Sequence, residues 1–244
     1  MSELVDYAAR VLPGLLLLAA LFVLLPKKQL LLRIVVLIFG FILLRDAMTP
    51  AGFWSFGVDL PAVWLRFTND TLVLWVLGAL SLGTTGLLLT NTDLRKLVRW
   101  GNVKSPSTYI VGIATGIVVA LPFVLAGQAV DIPARGGSVA MTLLPALLFM
   151  ALAGNLLEEL IFRGFYQSYL EKHVANVRAA VISGLTFAAA HVFLASTVTN
   201  LGWPILVFVV VEGLACAFIY RRYGLIAAAL THGIAIFVLA SGLV

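Results

Sequence analysis

Apolar runs long enough to cross a bilayer recur along the whole chain, and they constrain its fold more than any other feature. A spanning helix needs roughly 20 mostly apolar residues at about 1.5 Å rise each. Segments 7–25, 30–45, 71–90, 107–126, 139–162, 178–196, 203–220 and 224–243 meet or approach that length. The second is short and carries Arg33 near one end, where a long side chain can snorkel to the interface. Segment 46–70 holds Met48-Thr49-Pro50, Gly52, Trp54, Trp64 and Arg66, which suits an interfacial or re-entrant segment better than a span. The expected fold class is all-α, a polytopic transmembrane helical bundle of about eight spans.

Composition agrees. The chain is 62% hydrophobic and 11% charged, whereas a soluble domain carries about a quarter charged residues. The net charge of +5 comes from basic residues scattered over short loops, so nucleic acid is not an expected partner. The lipid bilayer is. The lone Cys216 excludes an internal disulfide and a multi-cysteine metal site.

Basic residues also orient the bundle. Connections after odd-numbered spans hold twelve: Lys27, Lys28, Arg33, Arg95, Lys96, Arg99, Lys104, Arg163, Lys172, Arg178, Arg221 and Arg222. The opposite side holds four: Arg10, Arg45, Arg66 and Arg135. The positive-inside rule places the larger group in the cytoplasm and both termini on the non-cytoplasmic side. The leading residues carry Glu3 and Asp6 against Arg10, unlike a basic signal-peptide start, so the first run is expected to be an anchor. Trp54, Trp64, Trp75, Trp100 and Trp203 read as interface anchors, and His173 as a solvated loop residue. The polar connection 91–106 divides the chain into N-terminal spans with the interfacial segment, 1–106, and a second unit, 107–244.

Two acids and an arginine interrupt the fifth apolar run, in Asn155-Leu156-Leu157-Glu158-Glu159-Leu160-Ile161-Phe162-Arg163. An ionisable side chain at membrane depth is costly and by default marks a function. Glu159 and Arg163 are four apart with the acid first, the favourable order for a helical ion pair. Glu158 is turned about 100° away, so one arginine cannot serve both carboxylates equally. Glu159 is expected to be a paired structural charge, leaving Glu158 to take a proton from water. Asn155, one turn back, can orient a carboxylate or a water. His191 shares a face with Phe187 at four-residue spacing, and His232 precedes Gly233, where a neighbouring backbone can approach closely. Each feature alone is as often a helix-packing device as a site. The combination within one stretch is what favours acid–base chemistry. Glu212 and Cys216 share a face of the seventh run and rank lower, Glu212 as a helix-packing partner.

Glu158-Glu159-Leu160-Ile161-Phe162-Arg163-Gly164, Phe187-Ala188-Ala189-Ala190-His191 and His232 together resemble the CPBP family (CAAX prenyl endopeptidase and bacteriocin-processing, "Abi") of glutamate-type intramembrane proteases. The resemblance covers roughly 139–240 and makes 107–244 a protease core. It implies an endopeptidase acting on a membrane-associated protein or peptide, in a prokaryotic plasma membrane. Catalytic residues would be Glu158 activating water with His191 assisting, Glu159 and Arg163 shaping the site, and His232 stabilising the oxyanion. One position departs from the family pattern: Ile236 stands where an Asn or Asp normally follows the last histidine by four. No cofactor is expected; the alternative is a divalent metal held by Glu158, His191 and His232, although the HExxH arrangement is missing. Two rival functions are a non-hydrolytic scaffold or binding protein, favoured by Ile236, and a proton-coupled transporter, disfavoured by the lack of an internal repeat.

Depth poses a difficulty. If the fifth run ends near residue 162, Glu158 lies on the order of 7 Å from its cytoplasmic end. His191, counted from Arg178, lies about 20 Å deep. The two could meet only if the sixth helix starts outside the bilayer or tilts strongly.

Overall fold

A computed structural model describes residues 2–59, 62–192 and 202–243. The protein is mostly helical. The helices are α1 (Ser2–Leu24), α2 (Leu30–Asp46), α3 (Thr71–Leu89), α4 (Thr92–Arg95), α5 (Pro106–Gly127), α6 (Leu144–Glu159), α7 (Ser168–Leu170), α8 (Asn176–Ala189), α9 (Trp203–Tyr223) and α10 (Leu225–Ala240). A π-helical run, Leu160–Gln167, joins α6 to α7 in one continuous rod. Short-range chemistry sets the ends. The Asp70 carboxylate accepts from the amides of Leu72 at 2.8 Å and Val73 at 3.2 Å, capping α3. Proline stands in the first turn of α5, α6 and α9, where a missing N–H costs nothing. Gly224 separates α9 from α10 at φ 85°, and a Cβ there would run into the backbone of Gly101. Only glycine suits that break.

Among the described residues, five helices are long and apolar enough to cross a membrane: 3–24, 71–89, 106–127, 141–170 and 203–223. Large apolar side chains on their outer faces are exposed, such as Leu16 and Leu17 on α1, Leu87 on α3 and Val118 on α5. Such surface needs lipid around it, and the protein is an integral membrane protein. The other three expected spans are shorter helices, α2, α8 and α10, of 17, 14 and 16 residues. Residues 193–196, the expected end of the sixth span, lie outside the described residues.

The all-α expectation needs one correction. Segment 46–70 contains an antiparallel hairpin, β1 (Trp54–Asp59) and β2 (Ala62–Phe67), paired Trp54↔Phe67, Phe56↔Leu65 and Val58↔Val63. Alternate residues of a strand share a face, so Trp54, Phe56, Leu65 and Phe67 form one aromatic-rich side, and it faces inward. Trp54 is buried there, with its indole N–H on Thr49 Oγ1 at 2.6 Å, and is not an interface anchor. Arg66 ties the hairpin down: its Nη1 donates to Leu239 O at 3.0 Å and its Nε to Gly137 O at 3.1 Å. The first bond satisfies a carbonyl that the end of α10 leaves open.

Arg33, Arg66 and Arg163 are buried and the Arg45 side chain is 13% exposed, so none of these four reports on a loop. Removing Arg33 and Arg163 from the twelve, and Arg45 and Arg66 from the four, leaves ten against two.

Small residues draw the helices around the centre together. A Cβ on Gly112 or Gly116 of α5 would lie 2.8 Å from Ala227 O or 2.6 Å from Thr231 O of α10. One on Gly233 would lie 2.8 Å from Leu152 Cδ2 of α6, so the glycine after His232 admits a neighbouring helix. Close approach of this kind replaces the hydrophobic driving force that lipid does not supply.

Candidate active site

The π-helical run opens directly after Glu159 and holds Arg163. Such runs are rare and concentrate at functional sites. Here Ser183 of α8 donates to Phe162 O at 3.0 Å, fastening the run to its neighbour. Glu159 and Arg163 are fully buried, and Nη1 of the arginine is 3.1 Å from Oε1 of the acid, the pairing the four-residue spacing predicts. His232 Nδ1 is 2.9 Å from the same Oε1. Arg163 also donates through Nη2 to Gly213 O at 2.8 Å. Glu159 is therefore enclosed by a guanidinium and an imidazole.

Glu158 points elsewhere. It pairs with Arg45 of α2, a residue expected in an outer loop. Its Oε2 is 3.8 Å from His191 Nε2 and has no hydrogen-bond partner among the described residues. His191 Nδ1 lies 2.8 Å from Phe187 O; a carbonyl only accepts, so Nδ1 carries the proton. The ring thus turns its Nε2 toward Glu158. Phe187 sits among all these groups, its centroid 4.4 Å from the His191 ring, 5.4 Å from the His232 ring and 4.4 Å from Arg163 Cζ. It walls off the imidazole on one side, and Phe41 of α2 covers His191 from another side at 5.2 Å.

The depth difficulty disappears with the longer rod. Its apolar stretch runs to Leu170, not to 162, which puts Glu158 about 18 Å from that end. α8 starts at Asn176, putting His191 on the order of 20 Å from its own start. The two therefore lie at similar distances along their helices, and their side chains approach to 3.8 Å.

Two cavities converge on Glu158. One lies under the hairpin and is lined by Trp54, Phe56, Glu158, His191, Glu212 and His232. Asn155 and Ile236 border it too. The other is larger and has mostly apolar walls from α1, α2, α3 and α6 and a polar end at Lys27, Asn91 and Asp93. Arg45 and Glu158 line both, and Glu159 lines neither. This difference separates the two acids more sharply than their cation partners do.

Sequence reasoning missed Arg45 and Phe41 and ranked Glu212 low. The one signal for Arg45 was a charge deficit: two buried carboxylates with one arginine between them call for another cation.

The residues suit a metal poorly. Glu159, Cys216 and His232 bring ligand atoms within 4.8 Å of one another, a different set from Glu158, His191 and His232. In the first, Glu159 Oε1 already engages Arg163 and His232. In the second, Glu158 engages Arg45. A divalent ion in either place would sit beside a guanidinium, which repels it strongly in a low-dielectric interior.

Fold and site together define a helical membrane protein with an acid–base cluster enclosed among its helices. Residues 140–238 match the family described as Type II CAAX prenyl endopeptidase Rce1-like, and this match supports the CPBP/CAAX protease family for that part of the chain. The match includes all the cluster except Phe41 and Arg45. No curated protein and no solved structure matches the chain.

Proposed function

We propose that the protein is an intramembrane endopeptidase in which Glu158 activates the hydrolytic water. The observation that carries this reading is the 3.8 Å gap between Glu158 Oε2 and His191 Nε2, at the wall of the cavity under the hairpin. That distance is too long for a direct hydrogen bond and suits a water about 2.8 Å from each atom. Glu158 takes the water's proton as its oxygen attacks the peptide carbonyl, then returns the proton to the departing amine. His191 accepts the second hydrogen bond and orients the water. His232, whose Nδ1–H is accepted by Glu159, donates through Nε2 to the oxyanion in its imidazolium form, which the developing negative charge favours, while Glu159 and Arg163 hold the site's shape.

The family match supports a CAAX-type substrate; leader peptides and C-terminal sorting signals have the same requirement for a membrane-associated peptide bond. The chemistry needs no metal, since arginines hold both carboxylates. Incubating the reconstituted protein with one peptide of each substrate class is expected to give fragments from one of them by mass spectrometry, unchanged by a chelator. Cleavage that stops with chelator and returns with a divalent ion would overturn the metal-free reading. A scaffold is the second reading, favoured by Ile236; it expects tight peptide binding and no fragments from any class.

The same reading places the protein in a prokaryotic plasma membrane, with eight crossings, both termini outside and a protease core in 107–244. The ten-to-two bias of unburied basic residues supports this orientation. Single cysteines at Lys172 and Ala134, in a background with Cys216 replaced, are expected to react with impermeant maleimide from opposite sides, Lys172 from the cytoplasm. Reaction of both from one side would sink this arrangement.

A further inference from the structure

Glu212 has no part in the chemistry above, yet it is buried in α9 with Oε2 3.5 Å from His232 Nε2. Its Oε1 has no hydrogen-bond partner among the described residues. It lines the same cavity as Glu158, His191 and Ile236. Its position is built by its neighbours. A Cβ on Gly213 would lie 2.8 Å from Gly184 O, so α8 and α9 cross in contact at this level. The bond from Arg163 Nη2 to Gly213 O, 2.8 Å long, then fixes α9 against the π-helical run. These contacts set the carboxyl of Glu212 on the edge of the imidazole that Glu159 does not hold. A carboxyl in this place is costly, and packing alone would be served as well by an apolar residue of similar volume.

Ile236 supplies the reason for it. One turn beyond His232 on α10, it offers the ring no polar partner. A functional imidazole is oriented by what its other nitrogen meets. We propose that Glu212 is a positioning residue for His232, supplying from α9 the polar partner that position 236 does not supply from α10. Glu159 holds Nδ1 at 2.9 Å, and Glu212, 3.5 Å from Nε2, fixes the direction of that nitrogen while leaving it open to the cavity they both line. The kinetic consequence rests on the proteolytic reading; the placement of the ring does not.

The test compares Glu212→Leu, Glu212→Gln and the double variant Glu212→Leu/Ile236→Asn in the reconstituted full chain. Glu212→Leu is expected to lower kcat roughly ten- to a hundredfold, as removing the partner of a functional histidine does, with KM within about twofold. Glu212→Gln is expected to keep most of the rate, and Ile236→Asn to restore most of it in the leucine background. A wild-type rate in Glu212→Leu, or a loss that neither Gln nor Ile236→Asn repairs, would overturn the proposal. If Glu212→Leu does not fold, Glu212→Ala takes the same readings. If the wild type cleaves no peptide, the proteolytic reading fails by itself, and ¹⁵N resonances of the His232 ring decide the placement. They are expected to shift in Glu212→Leu and to return in the double variant; unchanged resonances would refute it.

Discussion

Replacing Glu158 by glutamine is expected to abolish peptide cleavage while leaving a folded protein, and replacing Glu159 by glutamine is expected to destabilise the fold as well. The two acids are adjacent, yet their surroundings differ. Glu159→Gln would strip the carboxylate from Arg163, which is fully buried, and from His232, 2.9 Å away. Breaking a buried pair by removing one partner costs about 3–5 kcal/mol. Glu158→Gln would uncouple Arg45 instead. That side chain is 13% exposed and lies 6.0 Å from the Phe41 ring and 5.7 Å from that of Trp54. It can relax into the large cavity it lines, so the expected loss is smaller, though not zero. Thermal unfolding in detergent, run beside the cleavage assay, separates the effects. Equal loss of stability in both variants, or measurable turnover in Glu158→Gln, would contradict the assigned roles.

His232→Ala is expected to lower kcat roughly a hundred- to a thousandfold, the range for removing one oxyanion donor, with KM little changed. A donor aimed at charge that develops only in the transition state contributes to rate and not to ground-state affinity. The geometry supports this assignment: Glu159 holds Nδ1 at 2.9 Å, and the Nε2 edge borders the cavity beside Glu212, 3.5 Å away. Steady-state kinetics on the folded fraction make the measurement. A rise in KM at constant kcat would instead make His232 a substrate-binding group.

Much of the site is legible in the sequence because it follows helical spacing. Glu159 meets Arg163, Phe187 covers His191, and Gly233 admits a helix, each at an offset that helical periodicity makes readable. What escapes is what periodicity does not encode. The π-helical run from Leu160 to Gln167 carries the rod eight residues beyond the expected end of the span, and with that extension Glu158 lies about as far along its helix as His191 does. Arg45 stands at the end of an apolar run, where a snorkelling residue and a buried counter-ion read alike. Glu212 looks like packing until the ring of His232 is placed beside it. The paired strands alternate apolar residues, but the prolines and aromatics of segment 46–70 equally suit an interfacial segment.

The central claim is that Glu158 delivers a water oxygen to a peptide bond. Cleavage in ¹⁸O-labelled water, read by mass spectrometry, tests it directly. The wild type is expected to place one ¹⁸O atom in the new carboxyl terminus at each cut, and Glu158→Gln to yield no labelled fragment. Fragments of equal yield and label from both proteins would contradict it.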